Sequence, residues 1–231
     1  MRLEVKYRSD AAGRRLALDH SASGSGSHLL PLGTQYETLA DLCDELQTQL
    51  QTRDADMRCS ESDGVVTISD ANGDDFEVDW THPRLRDWLG FDDNLSGAST
   101  YTGSRSPGTL MGALPWSSGD PLGWCWYTRQ YIGDHQSGGS VKLSKLSKWS
   151  VDMLLTPDDL PAFRDVISYA MRGYGLRWWR DVDVATAWSY SNWWGYLDCR
   201  LDPEWRSYTD DWHDPVTQLQ LRASLQLMVE A

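Results

Sequence analysis

The sequence predicts an α+β protein with antiparallel sheets, one main helix per module and a long C-terminal β-strand. Three observations predict this class: short segments that alternate apolar and polar residues, two amphipathic helical segments, and a final alternating segment at 216–229. The 231 residues suffice for one large domain or two small ones with a real core. We expect an acidic α+β module at 1–103, an arm or long loop at 104–139, and a sheet-plus-helix assembly module at 140–231.

The first module is predicted to open with a β-hairpin and to continue into a helix. Alternating segments lie on either side of a turn at 11–14, and a Gly/Ser loop follows at 21–27. Thr34 and Glu37 form a capping-box pattern, which predicts a helix of about four turns after it. The apolar face of this helix consists of Leu39, Leu42, Cys43, Leu46 and Leu50.

Two strands and a short helix are predicted in the rest of this module. The segments 65–69 and 76–80 are rich in β-forming residues and flank the Asn72-Gly73 dipeptide, which favours the positive φ angles of a tight hairpin turn. The segment 83–91 predicts a short helix that ends at Gly90.

The last third predicts a strand, a helix and two further strands. A strand at 149–155 runs into Thr-Pro-Asp-Asp at 156–159, which supplies an N-cap, a proline in the first turn and acidic residues near the helix N-terminus. The buried stripe of the helix is Leu160, Phe163, Ile167, Ala170 and Met171, and Gly173 marks its end. Strands follow at 196–201 and 216–229. The last of these would reach roughly 45 Å, so we expect neighbouring copies to cover part of its edge.

Charge and hydropathy exclude several function classes. The net charge is −13, of which −10 falls in residues 1–104 (9 basic and 19 acidic), so specific binding to nucleic acid or to an anionic membrane is not expected. The mean hydropathy is −0.53, and no apolar run approaches the ~18 residues of a membrane span. The N-terminus shows no secretory signal pattern, so we expect synthesis in the cytoplasm.

No motif points to catalysis, to a metal or to a cofactor. The four cysteines (Cys43, Cys59, Cys125 and Cys199) lie far apart and are expected to be free thiols. Asp70, Asn72, Asp74 and Asp75 offer oxygen ligands, but they lack the spacing of a calcium loop and are interpreted as a turn. Acidic residues lie beside tryptophans at 202–205 and 210–214, as in a glycosidase cleft, although sequence proximity does not establish the required carboxylate separation.

Tryptophan is the unusual feature of the composition. The chain has 13, of which 11 lie at or after Trp116, and we expect some of these large rings to lie at interfaces rather than in the core. Two other interpretations stay open: the rings fill a core that is short of Phe, or they form a platform for sugar binding. The predicted assembly interface consists of Trp116, Trp124, Trp126, Trp178, Trp179, Trp193, Trp194, Lys142, Lys145 and Lys148.

Several segments resemble structural proteins of the tails of tailed bacteriophages. In the C-terminal module these are WSVDMLLTPDDLPAFRDV at 149–166, GLRWWRD at 175–181 and YLDCRL at 196–201. In the N-terminal module they are the helix at 36–46, the strand at 65–69 and WLGFDDNLSGA at 88–98. The resemblance implies a ring-forming module in which a helix crosses one face of a sheet.

The resemblance also implies a function without catalysis. It suggests a virion subunit of the tail tip, the distal tail or the tube end, whose partners are copies of itself in a ring and other tail proteins. An acidic surface suits a conduit through which DNA slides without adhering. Two alternatives remain from the sequence: a carbohydrate-binding receptor-recognition protein, with Trp193 or Trp205 at its site, and a capsid decoration protein.

Overall fold

The chain folds into two compact units. The computed structural model describes residues 2–111, 114–115, 125–133, 143–179, 196–202, 211–212 and 221–230, and the side chains of 2–111, 155–179, 196 and 198–202. The N-terminal unit is Glu4–Thr109, and the C-terminal unit comprises Met1–Leu3 and Leu110–Ala231. Both contain antiparallel strands together with helices, which confirms the predicted α+β class.

Up to residue 105 the chain forms ten short strands and two helices. The strands are β1 (Arg2–Val5), β2 (Tyr7–Arg8), β3 (Arg15–His20), β4 (Gly24–Leu29), β5 (Gln35–Tyr36), β6 (Met57–Ser62), β7 (Val65–Asp70), β8 (Phe76–Trp80), β9 (Leu95–Ala98) and β10 (Thr100–Arg105). The helices are α1 (Leu39–Gln51) and α2 (Pro83–Trp88). The strands from β2 to β10 form a four-stranded sheet in the order β4-β3-β8-β9, a three-stranded sheet in the order β10-β7-β6, and the pair β2-β5.

Helix α1 buries the predicted face and begins one turn later than predicted. All five predicted face residues are buried, including Cys43, which is a free thiol. The capping box is formed by Thr38 and Asp41: the Thr38 hydroxyl accepts from the Asp41 N–H at 3.0 Å, and the Asp41 carboxylate accepts from the Thr38 N–H at 2.9 Å. The predicted cap at Thr34 and Glu37 is wrong, because Gln35 and Tyr36 pair as β5 with β2.

A buried carboxylate connects the first strand to this helix. Glu4 is 1% exposed, and its carboxylate accepts the N–H of Leu39, the first residue of α1. Negative charge is stabilised at a helix N-terminus, where backbone N–H groups have no partner within the helix. The buried Lys6 ammonium forms an ion pair with Glu37 close by.

Several predicted strands exist but pair differently from the prediction. Strand β7 pairs with β6 and β10, whereas β8 pairs with β3 and β9, so the two do not form a hairpin. The alternating segments around 11–14 do not pair with each other either, since β3 pairs with β4 and β8. The predicted Gly/Ser loop is mostly the edge strand β4.

The turn after α2 requires a glycine for two reasons. Gly90 has φ of +80°, and a Cβ built on it would lie 2.0 Å from the Ser104 carbonyl oxygen. The Ser104 N–H donates to the Gly90 carbonyl at 2.7 Å, so the turn packs backbone against backbone. This contact joins the Leu-Gly-Phe turn to the end of β10 and confirms the predicted helix stop.

The described residues of the C-terminal unit form a large sheet and one helix. Its strands are β11 (Thr109–Met111), β12 (Leu114–Pro115), β13 (Cys125–Gly133), β14 (Leu143–Leu155), β15 (Leu176–Trp179), β16 (Leu197–Leu201), β17 (Asp211–Trp212) and β18 (Leu221–Glu230), and its helix is α3 (Asp159–Met171). The strand order is β11-β1-β15-β16-β18-β14-β12, with β13 also paired to β14 and β17 also paired to β18. Of the predicted final strand, residues 216–220 lie outside the described residues.

Helix α3 differs from its prediction in its first and last turns. Its N-cap is Asp158 and not Thr156, so the helix begins at Asp159 rather than at Pro157, and Leu160 is half-buried rather than buried. Phe163, Ile167 and Ala170 are buried as predicted, whereas Met171 is 67% exposed, so its placement on the buried stripe is wrong. Gly173 has φ of +88° and ends the helix where it was predicted to end. Neither α3 nor α1, at 13 residues each, has the length and apolar character needed to cross a bilayer, and no other helix in the described residues has them.

The Gly90 contact makes a prediction about stability. Gly90→Ala should destabilise the N-terminal unit by about 3 kcal/mol, because the new methyl group meets both a positive φ and a backbone oxygen. Gly73→Ala is the matched control, since Gly73 has φ of +84° but open space around its Cβ position. It should cost only about 1 kcal/mol. Chemical denaturation of both variants measures the difference, and equal costs would contradict the packing argument.

Candidate assembly interface

The structure places the ten predicted interface residues in three groups. Trp178 and Trp179 lie in β15 with described side chains. Trp126 lies in β13, and Lys145 and Lys148 lie in β14, where the backbone is described. The remaining five, Trp116, Trp124, Lys142, Trp193 and Trp194, lie outside the described residues, as does Trp205 of the sugar-binding alternative.

The tryptophan pair in β15 belongs to the core of this chain. Trp178 is 2% exposed and Trp179 is 9% exposed. Neighbouring residues of a strand point to opposite faces of the sheet, so both faces are covered at this point. The expectation that these two rings offer a free surface to a partner is therefore wrong, and the core-filling interpretation holds for them.

Arg177 forms a charged and aromatic cluster beside this pair. Its Nε and Nη2 atoms donate to the two carboxylate oxygens of Asp198 at 2.7 and 2.9 Å, across the β15–β16 register. Its guanidinium lies 4.1 Å from the ring centroid of Tyr196 and 5.8 Å from that of Trp179. A bidentate pair with ring stacking fixes β15 against β16, so we interpret this cluster as structural.

Strands β13 and β18 of the large sheet both have backbone that no described strand covers. Strand β18 pairs over all ten of its residues with β14, but on its other side it pairs only at Leu227 and Met228 with β16 and at Leu221 and Arg222 with β17. Strand β13 pairs with β14 over nine residues, from Cys125↔Val151 to Gly133↔Leu143, and no other described strand pairs with it. Residues 223–226, 229 and 230 of β18 have no described partner on that second side, so the expectation that neighbouring copies cover part of its edge stays a prediction, and β13 adds a second edge of this kind.

The composition of β13 makes its edge unusual. Its sequence, CWYTRQYIG, has three aromatic residues, one charged residue and no proline. Edge strands of monomeric proteins are commonly short, charged or interrupted by proline, because unpaired N–H and C=O groups otherwise attract a second strand. The segment was predicted to be part of an arm or long loop. Its high content of Trp, Tyr, Thr and Ile was the signal for a strand.

The outward face of the β4-β3-β8 sheet is acidic. Asp19 lies directly opposite Glu77, and Ala17 lies opposite Asp79, in the β3–β8 register. The three acidic residues are exposed, and together with the small residues of β4 they line an open groove of about 450 Å³. Like charges directly opposite each other on neighbouring strands destabilise a sheet by roughly 0.2–1 kcal/mol.

Asp19 and Asp79 accept hydrogen bonds from neutral donors, and none of the three carboxylates forms an ion pair with a described side chain. The Ser25 hydroxyl donates to Asp19 at 2.8 Å, and the Asn94 amide donates to Asp79 at 2.9 Å. Among the residues whose side chains are described, no lysine, arginine or histidine forms an ion pair with Asp19, Glu77 or Asp79. The sequence analysis did not single out this face, because its acidic residues come from strands that are distant in sequence.

A buried histidine joins the four-stranded and three-stranded sheets. His20 is 1% exposed, and its Nε2 atom lies 3.2 Å from a carboxylate oxygen of the fully buried Asp70 side chain. The N–H groups of Ala22 and Ser23 donate to His20 Nδ1 at 3.2 and 3.3 Å. The ring proton therefore lies on Nε2 and is donated to Asp70.

The hydrogen bonds of Asp70 outweigh the effect of its burial. Burial raises the pKa of this carboxyl group, but the Asp74 N–H, the His20 ring and the Asn72 N–H all favour the charged form, and the net result is a lowered pKa. The two backbone N–H groups donate to one oxygen, at 3.0 Å from Asp74 and 2.8 Å from Asn72. The carboxylate thus fixes the turn between β7 of the three-stranded sheet and β8 of the four-stranded sheet.

The same cluster has the composition of a cation site but not the free electron pairs. His20, Asp70 and Asp74 have ligand atoms within 4.8 Å of one another. Both ring nitrogens of His20 are already hydrogen-bonded, and one Asp70 oxygen accepts two backbone N–H groups. We interpret the cluster as a structural clamp between β3 and β7.

Comparisons with known proteins provide no family for the chain. No family model, no curated protein and no solved structure matches it.

The clamp makes a prediction about Asp70. Asp70→Asn should destabilise the protein by about 2–4 kcal/mol, because an amide NH₂ group would then face the His20 N–H. The difference from the wild type should shrink as the pH falls below 3.8. The folded-state pKa lies below that unfolded value, so the contribution of the carboxylate is present above 3.8 and disappears on acidification.

Asp74→Asn is the control for this experiment. Only the backbone N–H of Asp74 takes part in the clamp, so this variant should change stability by no more than about 0.5 kcal/mol. Urea titrations from pH 7 to pH 3 measure both variants. A large loss in Asp74→Asn, or protection of the wild type by added calcium or zinc, would contradict the clamp interpretation.

Proposed function

We propose that the protein is a non-enzymatic structural subunit of a bacteriophage tail, at the tail tip, the distal tail or the end of the tube. It assembles with copies of itself into a ring and with other tail proteins, and it is carried in the virion. The observation that supports this proposal most directly is the side of β13 that faces away from β14, with which no other described strand pairs.

An open β-edge is an assembly surface by virtue of its backbone. In an antiparallel pair, successive residues turn their N–H and C=O groups alternately toward the partner and away from it. Nearly half of the β13 backbone groups therefore face away from β14 and can accept an incoming strand, whose main-chain hydrogen bonds supply affinity.

The tail assignment rests on the sequence resemblance, and the charge agrees with it. The segments that resemble tail proteins include the strand and helix at 149–166, which are β14 and α3. Rings are formed when one surface of a subunit binds a different surface of the next subunit, and the rotation closes. A net charge of −13 favours passage of DNA over its retention.

A pair of proline variants tests the role of the edge. At one of the two neighbouring positions Thr128 and Arg129, the N–H donates to β14, and at the other it faces the open side. One of Thr128→Pro and Arg129→Pro should therefore lose about 3 kcal/mol of stability. The other should keep the fold and weaken self-association about tenfold or more.

Thermal unfolding identifies the tolerated variant, and sedimentation velocity over a concentration series measures its self-association beside the wild type. The proposal fails if the wild type stays monomeric at its highest soluble concentration and in the presence of the other tail proteins. It also fails if the tolerated proline variant associates as strongly as the wild type.

A further inference from the structure

We propose that Cys43 and Cys59 form a reversible disulfide bond that links helix α1 to strand β6 under oxidising conditions. Cys43 lies on the buried face of α1, and Cys59 is a buried residue of β6. The bond is independent of the proposed tail function, because both cysteines belong to the N-terminal unit, whereas the assembly edge on β13 belongs to the C-terminal unit.

The two thiols lie close together in the core of this unit. Cys43 is 1% exposed and Cys59 is 3% exposed, and both are free. Their side chains lie close enough to share a hydrogen bond. The sulfur atoms of a disulfide are about 2 Å apart. Oxidation therefore requires the two sulfurs to move only from hydrogen-bond contact to bonding distance.

Two glutamine side chains hold α1 against β6 and so fix the positions of these cysteines. The Cys59 N–H donates to the Gln47 side-chain oxygen at 3.0 Å, and the Gln51 side-chain amide donates to the Met57 carbonyl at 2.9 Å. Cys43 lies four residues before Gln47, so the two side chains are neighbours on one side of the helix. The glutamine that binds the Cys59 backbone thus lies next to Cys43.

The surroundings of the pair keep it slow to react while the N-terminal unit is folded. The hydrogen bond with Cys59 and burial raise the pKa of the Cys43 thiol, and the carboxylates of Glu61 and Asp44 act in the same direction. Thiolates rather than thiols attack disulfides, so the reaction proceeds when α1 and β6 separate locally. A reducing compartment keeps such a pair as free thiols, and an oxidising medium converts it to the bridge.

The reaction needs an oxidant, and a small aliphatic disulfide such as oxidised glutathione has the required chemistry. One cysteine, as a thiolate, attacks a sulfur of the small disulfide, which forms a mixed disulfide and releases one small thiolate. The other cysteine then attacks the mixed disulfide at the protein sulfur and displaces the second small thiolate. The two cysteines lose two electrons and two protons in total, and the small disulfide takes these up as two thiols.

The bridge stabilises the N-terminal unit chiefly by restricting its unfolded chain. It closes a loop of about 16 residues (59 minus 43), which removes conformations from the unfolded ensemble. We expect the thermal midpoint of this unit to rise by about 5–10 °C. Under the proposed function, release of a virion from the reducing cytoplasm supplies the change of medium.

Peptide mapping of the full-length protein tests the bridge. The protein is incubated overnight with about ten times more oxidised than reduced glutathione, and the remaining thiols are then alkylated. Trypsin cleaves after Arg53 and Arg58, which places Cys43 and Cys59 in separate peptides that only a disulfide can join. We expect the linked pair of peptides as the main product, lighter than their sum by two hydrogen atoms, and dithiothreitol should separate it.

Three variants control this experiment. Cys43→Ala and Cys59→Ala each leave a single thiol of the pair, so neither should form the linked peptides or gain the thermal shift on oxidation. Cys199→Ala is the matched control, since Cys199 is a buried free cysteine in the C-terminal unit, and this variant should form the bridge as the wild type does. Calorimetry before and after oxidation measures the thermal midpoint of each protein.

The proposed bond is ruled out if Cys43 and Cys59 remain unlinked after oxidation, or if either is linked instead to Cys125 or Cys199. It is also ruled out if the bridge lowers the thermal midpoint, because the cross-link would then strain the contact between α1 and β6. These outcomes leave the proposed function in place, since none of them depends on self-association. Where an alanine variant does not fold, the wild type alone decides, because the linked peptides and their reduction need no variant.

Discussion

The backbone N–H and C=O groups of a β-strand need hydrogen-bond partners on both sides of the strand, and the assembly proposal depends on this constraint. Within the C-terminal unit, residues 146–151 of β14 meet this constraint, with β13 on one side and β18 on the other. Strand β13 meets it only toward β14 among the described strands. An aromatic strand of nine residues with one side open has a strong physical reason to acquire a second chain.

The N-terminal unit is stabilised differently. It contains several small sheets, each of which has little surface to bury, and other contacts must hold these sheets together. Buried polar groups make these connections: Glu4 at the start of α1, and Asp70 with His20 between β7 and β3. Where side chains cannot fit, backbone packs on backbone, as at Gly90. With its interior fixed in this way, the unit can tolerate opposed carboxylates on its outer sheet face.

The sequence predicted elements well where the signal was local. The face of α1, its length and the stop at Gly90 follow from helical periodicity and from glycine at positive φ. Partners were predicted poorly, since β7 and β8 each pair with strands distant in sequence rather than with each other. The acidic face arises from the same long-range pairing. Trp178 and Trp179 were misplaced because a count of aromatic rings does not show which of them a large sheet can cover.

Amide hydrogen exchange along β13 tests the central claim most directly, because it reports the hydrogen bonds themselves. Exchange should be followed at low and at high protein concentration, with residues 146–151 of β14 as the internal reference, because they pair with β13 on one side and with β18 on the other. If the edge is an assembly surface, alternate amides of Cys125–Gly133 exchange rapidly in dilute solution and become protected as the concentration rises, whereas the reference amides are protected at both concentrations. Alternate β13 amides that are protected equally at every concentration, or that never become protected, would contradict the account.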